Sequence, residues 1–430
     1  MDHRQTIQKS IDYIEDNLKT EIRAQELADM AHFSLYHYYR LFHAATGLPV
    51  MQYILRRRLL HGIYAVKQGS SGIEAALNYG FDTYAGFYKA FQREFGCTPS
   101  EFLRSSRAKR PYRLNLFREE CIRMNHKNAR EILRHWNLEE ASVSDVYYDG
   151  TGNKNDHACY VGDCYVLKYT ANLGKLQTHI AVSREMEKLG LWAAVPVATA
   201  DGRDYVQAGE LYACLTKRLP GKQVTADTLY VENGPEKARF VGEILGQLHL
   251  ALKKVEVCCR EADLLETVRT WALPKAGACL GWDKDTCQAW LERFAHLYPQ
   301  LPRQLIHRDP NPGNMICGEN RWGFLDFELS ECNARLFDPC YAATAILSET
   351  GGEESKWEQW IGIYRNLLLG YDHVAKLTDA EKQAAPHLLI ANQLVCVAWF
   401  AEQEKYEELL AINKRMTLWL AAHLEALALD

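Results

Sequence analysis

The 430-residue sequence lacks the long apolar runs of a membrane protein. No stretch approaches the roughly 20 uninterrupted apolar residues of a transmembrane helix. The polar start MDHRQTIQKS also lacks the apolar segment of a signal peptide. With 47% hydrophobic and 24% charged residues, the composition is typical of a globular protein and excludes wholesale disorder. We therefore expect a cytoplasmic protein with no membrane partner.

The 13 cysteines form no recognisable metal-binding or disulfide pattern. No Cys-x-x-Cys pair occurs, and the only adjacent pair is Cys258-Cys259. The remaining cysteines are scattered along a chain that is long enough to bury its own cores. We predict reduced, mostly buried thiols and no structural zinc.

Acidic residues are missing from one long stretch near the N-terminus. No Asp or Glu lies between Asp29 and Glu74, although this interval contains four arginines and a lysine. Residues 1–134 carry 21 Lys/Arg and 14 Asp/Glu, a net charge of +7, whereas residues 135–430 carry the remaining 29 and 41, a net charge of −12. Phosphate backbones attract cations and repel carboxylates, so an acid-free surface is typical of a DNA interface. The uneven charge predicts two modules. The length of the chain also predicts more than one domain, because single hydrophobic cores stop growing at roughly 250–300 residues.

Two segments of the basic part share one helical pattern. Residues 24–47 and 72–96 each contain a short apolar helix, a turn, and a longer helix that is rich in aromatic residues and ends at a glycine. Ser34, and either Asp82 or Thr83, are suited to cap the start of the longer helices. The pattern predicts two helix-turn-helix units.

A helix over about 49–67 is predicted to join the two units. The whole of residues 5–105 resembles the AraC-type DNA-binding domain, and the segment ALNYGFDTYAGFYKAFQREFGCTPSEF is close to the signature of that family. The resemblance implies that two recognition helices enter successive major grooves of double-stranded DNA. Helical spacing turns eight side chains of these two helices towards the groove: Tyr36, Tyr39, Arg40, His43, Tyr84, Ala85, Tyr88 and Lys89.

The candidate DNA contacts differ in their chemistry. By resemblance Tyr36, Tyr39 and Arg40 occupy base-contacting positions, and an arginine can read a guanine edge with two hydrogen bonds. Surface packing is the alternative role of the tyrosines. Arg56, Arg57 and Arg58 are consecutive and cannot share one helix face, so at most one or two contact phosphate and the rest are solvated or pair with acidic residues. We expect Arg57 to be among those that contact phosphate.

The pattern changes after the basic part. Residues 108–125 contain Pro111, lack a clear period and are interpreted as a connector between a domain over 1–107 and the rest. Strand-like runs, among them VPVAT, alternate with helices over 126–219, and residues 220–430 are mainly helical. A small mixed lobe before a larger helical lobe is the layout of kinase-like enzymes.

One segment of the acidic part concentrates oxygen-bearing side chains at fixed spacing. His307-x-Asp309-x4-Asn314 is followed by Asp326-Phe327-Glu328, which begins twelve residues after Asn314. Phosphoryl transfer needs a carboxylate that orients the acceptor hydroxyl and takes its proton, together with oxygen ligands for Mg2+. Asp309 fits the first role as the catalytic residue, and Asn314 and Asp326 fit the second as metal ligands.

These residues resemble the catalytic loop of the aminoglycoside phosphotransferase and choline kinase-like superfamily, and the resemblance extends over roughly 126–400. The fold class expected for the chain is therefore multidomain. An all-α double helix-turn-helix domain precedes an α+β, two-lobed, protein kinase-like domain. ATP and Mg2+ are the cofactors that the resemblance implies, and a small hydroxylated molecule is the implied ligand or substrate.

The resemblance also assigns a nucleotide site in the small lobe. Lys168 in VLKY is the candidate for the α- and β-phosphates, and Glu185 is its candidate ion-pair partner, with Glu187 as the alternative. Gly150 and Gly152 are expected to let a hairpin approach the phosphates. The Asp-Leu-Ala step of the family has only an approximate match here, which begins at Asp338. We expect structural roles for the two histidines of this half that lie near family motifs, His249 and His307.

Three functions are compatible with these features. The first is a transcription regulator whose kinase-like domain binds ATP-Mg and senses or phosphorylates a small molecule. The second is a small-molecule kinase, acting on an antibiotic, an amino alcohol or a sugar, whose DNA-binding module regulates its own operon. The third is a pseudokinase that binds a ligand without transfer, and the presence of Lys168, Asp309, Asn314 and Asp326 argues against it.

Overall fold

The computed structural model describes residues 3–46, 48–104, 111, 113, 114, 116, 126–147, 154–257, 259–319, 321–350, 352–403 and 406–429. Gly47, Gly150 and Gly152 lie outside these described residues. The chain divides into two compact units. One contains Met1–Ala171 and Ala198–Leu215, and the other contains Asn172–Val197 and Thr216–Asp430.

Helices dominate the described residues. Those of the N-terminal part are α1 (His3–Asp16), α2 (Ala24–Met30), α3 (Leu35–Thr46), α4 (Val50–Lys67), α5 (Gly72–Asn78), α6 (Tyr84–Phe95) and α7 (Pro99–Arg104). Those that follow are α8 (His126–Leu133), α9 (Leu173–Lys188), α10 (Gly234–Leu252), α11 (Leu264–Thr267), α12 (Leu273–Leu280), α13 (Lys284–Leu297), α14 (Phe337–Glu349), α15 (Trp357–Val374), α16 (Asp379–Ala401) and α17 (Glu407–Ala422).

The strands of the described residues form three sheets. A five-stranded sheet has the order β1-β2-β3-β6-β5, a four-stranded sheet the order β4-β10-β9-β7, and β11 pairs with β8. Their bounds are β1 (Val143–Tyr147), β2 (Lys154–Val161), β3 (Tyr165–Thr170), β4 (Trp192–Ala193), β5 (Val206–Ala208), β6 (Leu211–Lys217), β7 (Lys222–Gln223), β8 (Arg303–Ile306), β9 (Met315–Cys317), β10 (Trp322–Phe324) and β11 (Glu331–Ala334). Together with the helices, the sheets confirm an all-α part followed by a mixed kinase-like part.

The strand expected near the run VPVAT is β4, Trp192–Ala193, which lies just before that run, and Pro196 within the run makes an isolated bridge to Thr216. The strand β4 is defined by its parallel pairing with β10, where Gly323 lies opposite Trp192. A Cβ at Gly323 would lie 2.2 Å from the Trp192 carbonyl oxygen, so this pairing requires glycine.

The two helix-turn-helix units are built alike. Tyr38 and Phe42 of α3 are fully buried in the first, and Phe87 and Phe91 of α6 are fully buried in the second. Thr83, one of the two predicted caps, begins α6 by accepting a hydrogen bond from the Gly86 amide at 3.1 Å. Helix α6 ends at Gly96, whose φ of 70° is the left-handed cap that the sequence predicts.

The same backbone turn ends the first helix of each unit. The amide of Phe33 donates to the Ala28 carbonyl at 3.0 Å, and the amide of Phe81 donates to the Ala76 carbonyl at the same distance. The residue before each phenylalanine has a positive φ, 78° at Gly80 and 56° at His32. The repeat is therefore present in the backbone, although histidine occupies the first turn where glycine occupies the second.

Part of the predicted connector packs against α1. The Gln8 side-chain amide donates to the Leu114 carbonyl at 2.9 Å, and its oxygen accepts from the Leu116 amide at 2.7 Å. Leu114 and Leu116 are buried in the same core as Ile7 and Ile11. The described residues of the connector thus complete the first core instead of extending as a free linker.

In the unit that contains Asn172–Val197 and Thr216–Asp430, helices α10 and α15 approach each other most closely. A Cβ at Gly242 would lie 1.8 Å from the Leu367 carbonyl oxygen, and a Cβ at Gly370 would lie 1.9 Å from the Arg239 carbonyl oxygen. Because glycine lines both sides of the crossing, the two backbones can touch. Among the described residues, α16 is the one helix that is long and apolar enough to cross a membrane, but 67% of its most apolar window is buried within the protein, as in a core helix.

Replacement of His32 by glycine should stabilise the protein. A positive φ costs an L-residue about 1–2 kcal/mol, and the greater freedom of glycine in the unfolded chain returns part of this, so His32→Gly should raise the free energy of unfolding by roughly 0.5–1 kcal/mol. Denaturant unfolding measures the change. His37→Gly, within α3, should instead destabilise by about 1 kcal/mol, and equal losses in both variants would contradict the turn assignment.

Candidate active site and nucleic-acid surface

The loop that carries Asp309 is held by a buried carboxylate. After β8 the amides of His307 and Arg308 donate to the two oxygens of Asp338, at 2.8 and 2.9 Å. Asp338 is fully buried at the start of α14, and His249 Nε2 lies 2.9 Å from its Oδ2. The other ring nitrogen of His249 lies 2.6 Å from the Tyr371 hydroxyl. These contacts give His249 and Asp338 the role of fixing the loop.

The backbone turns at Arg308, two residues after the end of β8 and directly before Asp309. Its φ is 75°, a conformation that an arginine adopts only when the surrounding contacts enforce it. The guanidinium pairs with Glu331 at 2.8 Å and lies 3.9 Å from the ring centroid of Phe337. The side chain and the amide of Arg308 are thus both engaged, and these contacts offset the backbone strain.

Asp309 accepts hydrogen bonds from its own loop. The Asn311 amide donates to Oδ1 at 2.9 Å, and the Asn314 amide donates to Oδ2 at 3.2 Å. Burial raises the pKa of the Asp309 carboxyl, an effect that Asn311 and His307 oppose and that the nearby Asp326 carboxylate reinforces. A carboxylate whose pKa is raised in this way is a better proton acceptor than an exposed one.

The hairpin of β9 and β10 brings Asn314 next to Asp326. Met315 pairs with Phe324, and the Leu325 amide donates to the Asn314 carbonyl at 2.8 Å, so the residues that follow and precede these strands are neighbours. Asp326 has a φ of 62° at the start of a short turn of helix. The predicted metal ligands therefore lie at the same end of one hairpin.

The donor atoms at this end fit Mg2+. The Asn314 amide group donates to both the carbonyl and the carboxylate of Asp309, which leaves its Oδ1 as the atom suited to bind a cation. That oxygen and the Asp326 carboxylate are hard donors of the kind that Mg2+ prefers. In the described part of the chain, no group of three or more His, Cys, Asp or Glu side chains is placed to hold a metal. A two-residue site of this kind is completed by nucleotide oxygens and water.

The predicted nucleotide residues occupy regular elements. Lys168 lies on β3 opposite Ala158, and its side chain is half-buried. Glu185 lies on α9, where its carboxylate pairs with Lys188 at 2.6 Å, and Glu187 is exposed on the same helix. The ion pair of Lys168 with either glutamate stays a prediction. Helix α9 also contacts the Asp326 turn, because the Phe327 amide donates to His179 Nδ1 at 3.3 Å.

The eight predicted DNA contacts lie on α3 and α6. Tyr36 is 75% exposed, and Arg40, Tyr84, Ala85 and Lys89 are exposed as well. Three are half-buried: Tyr39, His43 and Tyr88. Tyr84 stacks on Phe87 with ring centroids 6.1 Å apart, and a Cβ at Gly72 would lie 2.7 Å from the Tyr84 ring. Packing against α5 is therefore part of the role of Tyr84.

The three consecutive arginines of α4 bond to α1, to the residues just after it and to α6 of the second helix-turn-helix unit. Arg56 pairs with Glu94 of α6 at 3.1 Å, and Arg57 pairs with Glu15 of α1 at 2.6 Å. Arg58 donates to the Leu18 carbonyl at 3.0 Å. The expectation that Arg57 contacts phosphate is wrong, because this side chain is buried and its Nε and one terminal guanidinium nitrogen both donate to Glu15.

Comparison with known proteins places both halves in families. A model of a phosphotransferase enzyme family matches residues 145–372, more than half of the chain. The chain belongs to this phosphotransferase family. A helix-turn-helix domain model matches residues 27–105, and this N-terminal domain is of the AraC type.

The relatives confirm the same division. The uncharacterized HTH-type transcriptional regulator YbfP of Bacillus subtilis is 28% identical over 103 residues, which are 24% of this chain and 35% of that protein. The TetD protein of transposon Tn10 from Escherichia coli is 31% identical over 104 residues, 24% of this chain and 75% of that protein. The chain spans well under half the length of YbfP and of several other relatives. A microcompartment-associated aminopropanol kinase shares the fold, with a TM-score of 0.53 and 15% identity over 70% of this chain and 98% of the other.

Acid should loosen the N-terminal domain through Glu15. Burial raises the pKa of this carboxyl, but hydrogen bonds from His61, Arg57 and Tyr53 and the charge of Arg57 together lower the pKa from its ordinary 4.5 to about 2. A carboxylate with a lowered pKa contributes stability that is present above its unfolded pKa and is lost as the pH falls from about 4.5 towards 2. The loss should reach about 3 kcal/mol.

Hydrogen exchange of the α1 and α4 amides across this pH range measures the effect. Glu15→Gln should weaken protection at neutral pH and flatten its dependence on pH below 4.5. Glu21→Gln, at an exposed carboxylate, should leave the dependence unchanged. A Glu15→Gln profile parallel to that of the unmodified protein would contradict the assignment.

Proposed function

We propose that the protein is a sequence-specific DNA-binding transcription regulator whose C-terminal domain binds ATP and Mg2+ and phosphorylates, or senses, a small hydroxylated molecule. The observation that carries the catalytic part is the arrangement around Asp309. Its carboxylate accepts hydrogen bonds from Asn311 and Asn314, and Asn314 and Asp326 lie at one end of the β9–β10 hairpin. The AraC-type domain supports the regulatory part. A cytoplasmic location agrees with both.

Each of these residues would have a separate role in phosphoryl transfer. Asp309 would orient the acceptor hydroxyl and take its proton. Asn314 and Asp326 would hold Mg2+, which when bound supplies charge stabilisation for the transferred phosphoryl group. Lys168 would bind nucleotide phosphate, with Glu185 as its ion-pair partner, and Gly150 and Gly152 would belong to the hairpin over the phosphates.

Removal of the Asp309 carboxylate should abolish transfer. The full-length protein with Mg-ATP and a panel of aminoglycosides, macrolides and amino alcohols should release ADP in the presence of an acceptor. Asp309→Asn should lower the turnover by at least about 100-fold, because general base catalysis typically contributes this much. Asp285→Asn, at an exposed site on α13, is the matched control and should keep full activity.

The outcome separates the candidate functions. ADP release that depends on the acceptor and on Asp309 supports a kinase. Nucleotide binding without turnover across the panel, combined with DNA affinity that depends on a small molecule, would instead support the pseudokinase sensor. Turnover that survives in Asp309→Asn would contradict the proposed base.

The second proposed site is the exposed face of α3 and α6. Arg40→Ala should reduce the affinity for DNA selected by the protein from a random pool by roughly 5- to 150-fold, because a bidentate arginine–guanine contact is worth about 1–3 kcal/mol. The affinity for unselected DNA should change much less. Lys9→Ala removes the same charge from α1 and should affect both DNAs alike, and the same pattern in Arg40→Ala would contradict base reading.

A further inference from the structure

The turn that carries Asn314 lies beside a strand with neighbours on both sides. Asn314 ends a single turn of 3-10 helix, Pro312–Asn314, and β9 begins at the next residue. In the four-stranded sheet, β9 lies between β10 and β7. Groups from two different strands can therefore reach the turn from opposite sides.

Both neighbouring strands donate a hydrogen bond to this turn. On the β10 side, the Leu325 amide donates to the Asn314 carbonyl at 2.8 Å. On the β7 side, the side-chain amide of Gln223 donates to the Gly313 carbonyl at 2.7 Å. The Gln223 side chain is half-buried, and it joins β7 to the residue directly before the predicted metal ligand.

Gln223 projects from a strand that lies close to β9. After Gln223, the Val224 amide donates to the Met315 carbonyl at 3.1 Å. Before the strand, Gly221 has a φ of 147°, and a Cβ there would lie 2.8 Å from the Cys317 carbonyl oxygen. The backbone contacts of β7 thus fix the position from which the Gln223 side chain reaches the turn.

The peptide group between Gly313 and Asn314 is bonded at both of its polar atoms. Its carbonyl accepts from Gln223, and its N–H, that of Asn314, donates to the Asn311 carbonyl at 2.9 Å. The peptide group that follows Asn314 accepts from Leu325. A side chain leaves the backbone between two peptide groups, so the direction of the Asn314 side chain is set when both groups are held.

Hydrogen bonds within the loop do not by themselves place Asn314 relative to Asp326. Asn311 and Asn314 both donate to Asp309, and all three belong to one loop, whereas Asp326 follows β10. The two predicted metal ligands keep their separation only if the turn is attached to the sheet. Mg2+ makes this demanding, because it requires near-ideal octahedral geometry with ligand distances of about 2.0–2.1 Å.

We propose that Gln223 is a positioning residue of the metal site, which holds the turn where the Asn314 Oδ1 can bind Mg2+. The inference rests on the proposed ATP and Mg2+ site and deepens it. In this role Gln223 touches neither metal nor nucleotide and acts through the Gly313 carbonyl. Its loss should weaken the binding of nucleotide that depends on Mg2+ and leave metal-free nucleotide binding unchanged.

Gln223→Met tests the role because it keeps the length of the side chain and removes the donor. Calorimetry of the full-length protein measures its affinity for AMP-PNP, a non-hydrolysable ATP analogue, at a series of Mg2+ concentrations and in EDTA. Loss of a partner that orients a metal ligand typically costs about 10- to 100-fold in metal affinity. The Mg2+ concentration for the half-maximal effect should therefore rise by at least about 10-fold, and the Kd in EDTA should stay within about twofold.

Gln223→Asn is a second test that keeps a polar side chain at this position. It shortens the side chain by one methylene, so its amide no longer reaches the Gly313 carbonyl, and the Mg2+ requirement should rise as in Gln223→Met. This variant decides the role if the methionine variant does not fold.

Gln207→Met is the matched control. Gln207 also lies on a strand, β5, and its side-chain amide also donates to a glycine carbonyl, that of Gly209, at 3.3 Å. The variant should keep the Mg2+ requirement of the unmodified protein. Melting temperatures of all variants separate lost stability from lost metal binding.

The comparison between Mg2+ and EDTA distinguishes a metal-site role from a general one. A higher Mg2+ requirement in the Gln223 variants alone, with unchanged affinity in EDTA, supports the inference. An unchanged requirement, an equal loss of affinity in EDTA, or the same change in Gln207→Met would overturn it. If Mg2+ does not alter the affinity of the unmodified protein for AMP-PNP, the proposed ATP and Mg2+ site itself fails, and the role of Gln223 with it.

Discussion

The candidate active site depends on the buried carboxylate of Asp338. A desolvated carboxylate is tolerated only when donors surround it, and Asp338 receives two loop amides and lies against His249. The loop amides in turn need an acceptor, because an unpaired buried N–H is costly. The carboxylate and the two amides satisfy each other, and this pairing fixes the path of the backbone from the end of β8 into the Asp309 loop.

The same interaction reaches into the helical core. His249 joins Asp338 to Tyr371, and these three residues come from α10, α14 and α15. The histidine and the tyrosine meet because glycine at the α10–α15 crossing lets the two backbones touch, as at Gly242 and Gly370. The glycines at this helix crossing therefore influence the position of the Asp309 loop through His249 and Asp338. The hydrogen bonds that the loop amides donate to Asp338 help to maintain the strained φ of Arg308.

The sequence predicted the elements and the chemical groups better than the contacts between them. The aromatic helices of the two units bury Tyr38, Phe42, Phe87 and Phe91 at helical spacing, because the buried face of an amphipathic helix follows from its own period. The motif spacing selected Asp309, Asn314 and Asp326, which the structure brings to one loop and one hairpin. The partners of these residues lie far away in sequence, and no local pattern marks Asp338 as the acceptor for the loop or His32 as a residue with positive φ. The bounds of β4 could not be predicted for the same reason, since a two-residue strand is defined by its partner.

The acid-free interval of the N-terminal domain shows how a charge pattern can mislead at the level of single residues. The interval lacks carboxylates, which led to the expectation that one or two of its arginines, Arg57 among them, contact phosphate. Glu15 and Glu94 lie outside the interval in sequence, yet they neutralise Arg57 and Arg56 within it. Counter-ions are set by the fold and not by sequence distance, and the run of arginines fastens α4 to α1 and to α6 of the second helix-turn-helix unit. Any positive surface for DNA must therefore come from cations that the fold leaves exposed, such as Arg40 and Lys89.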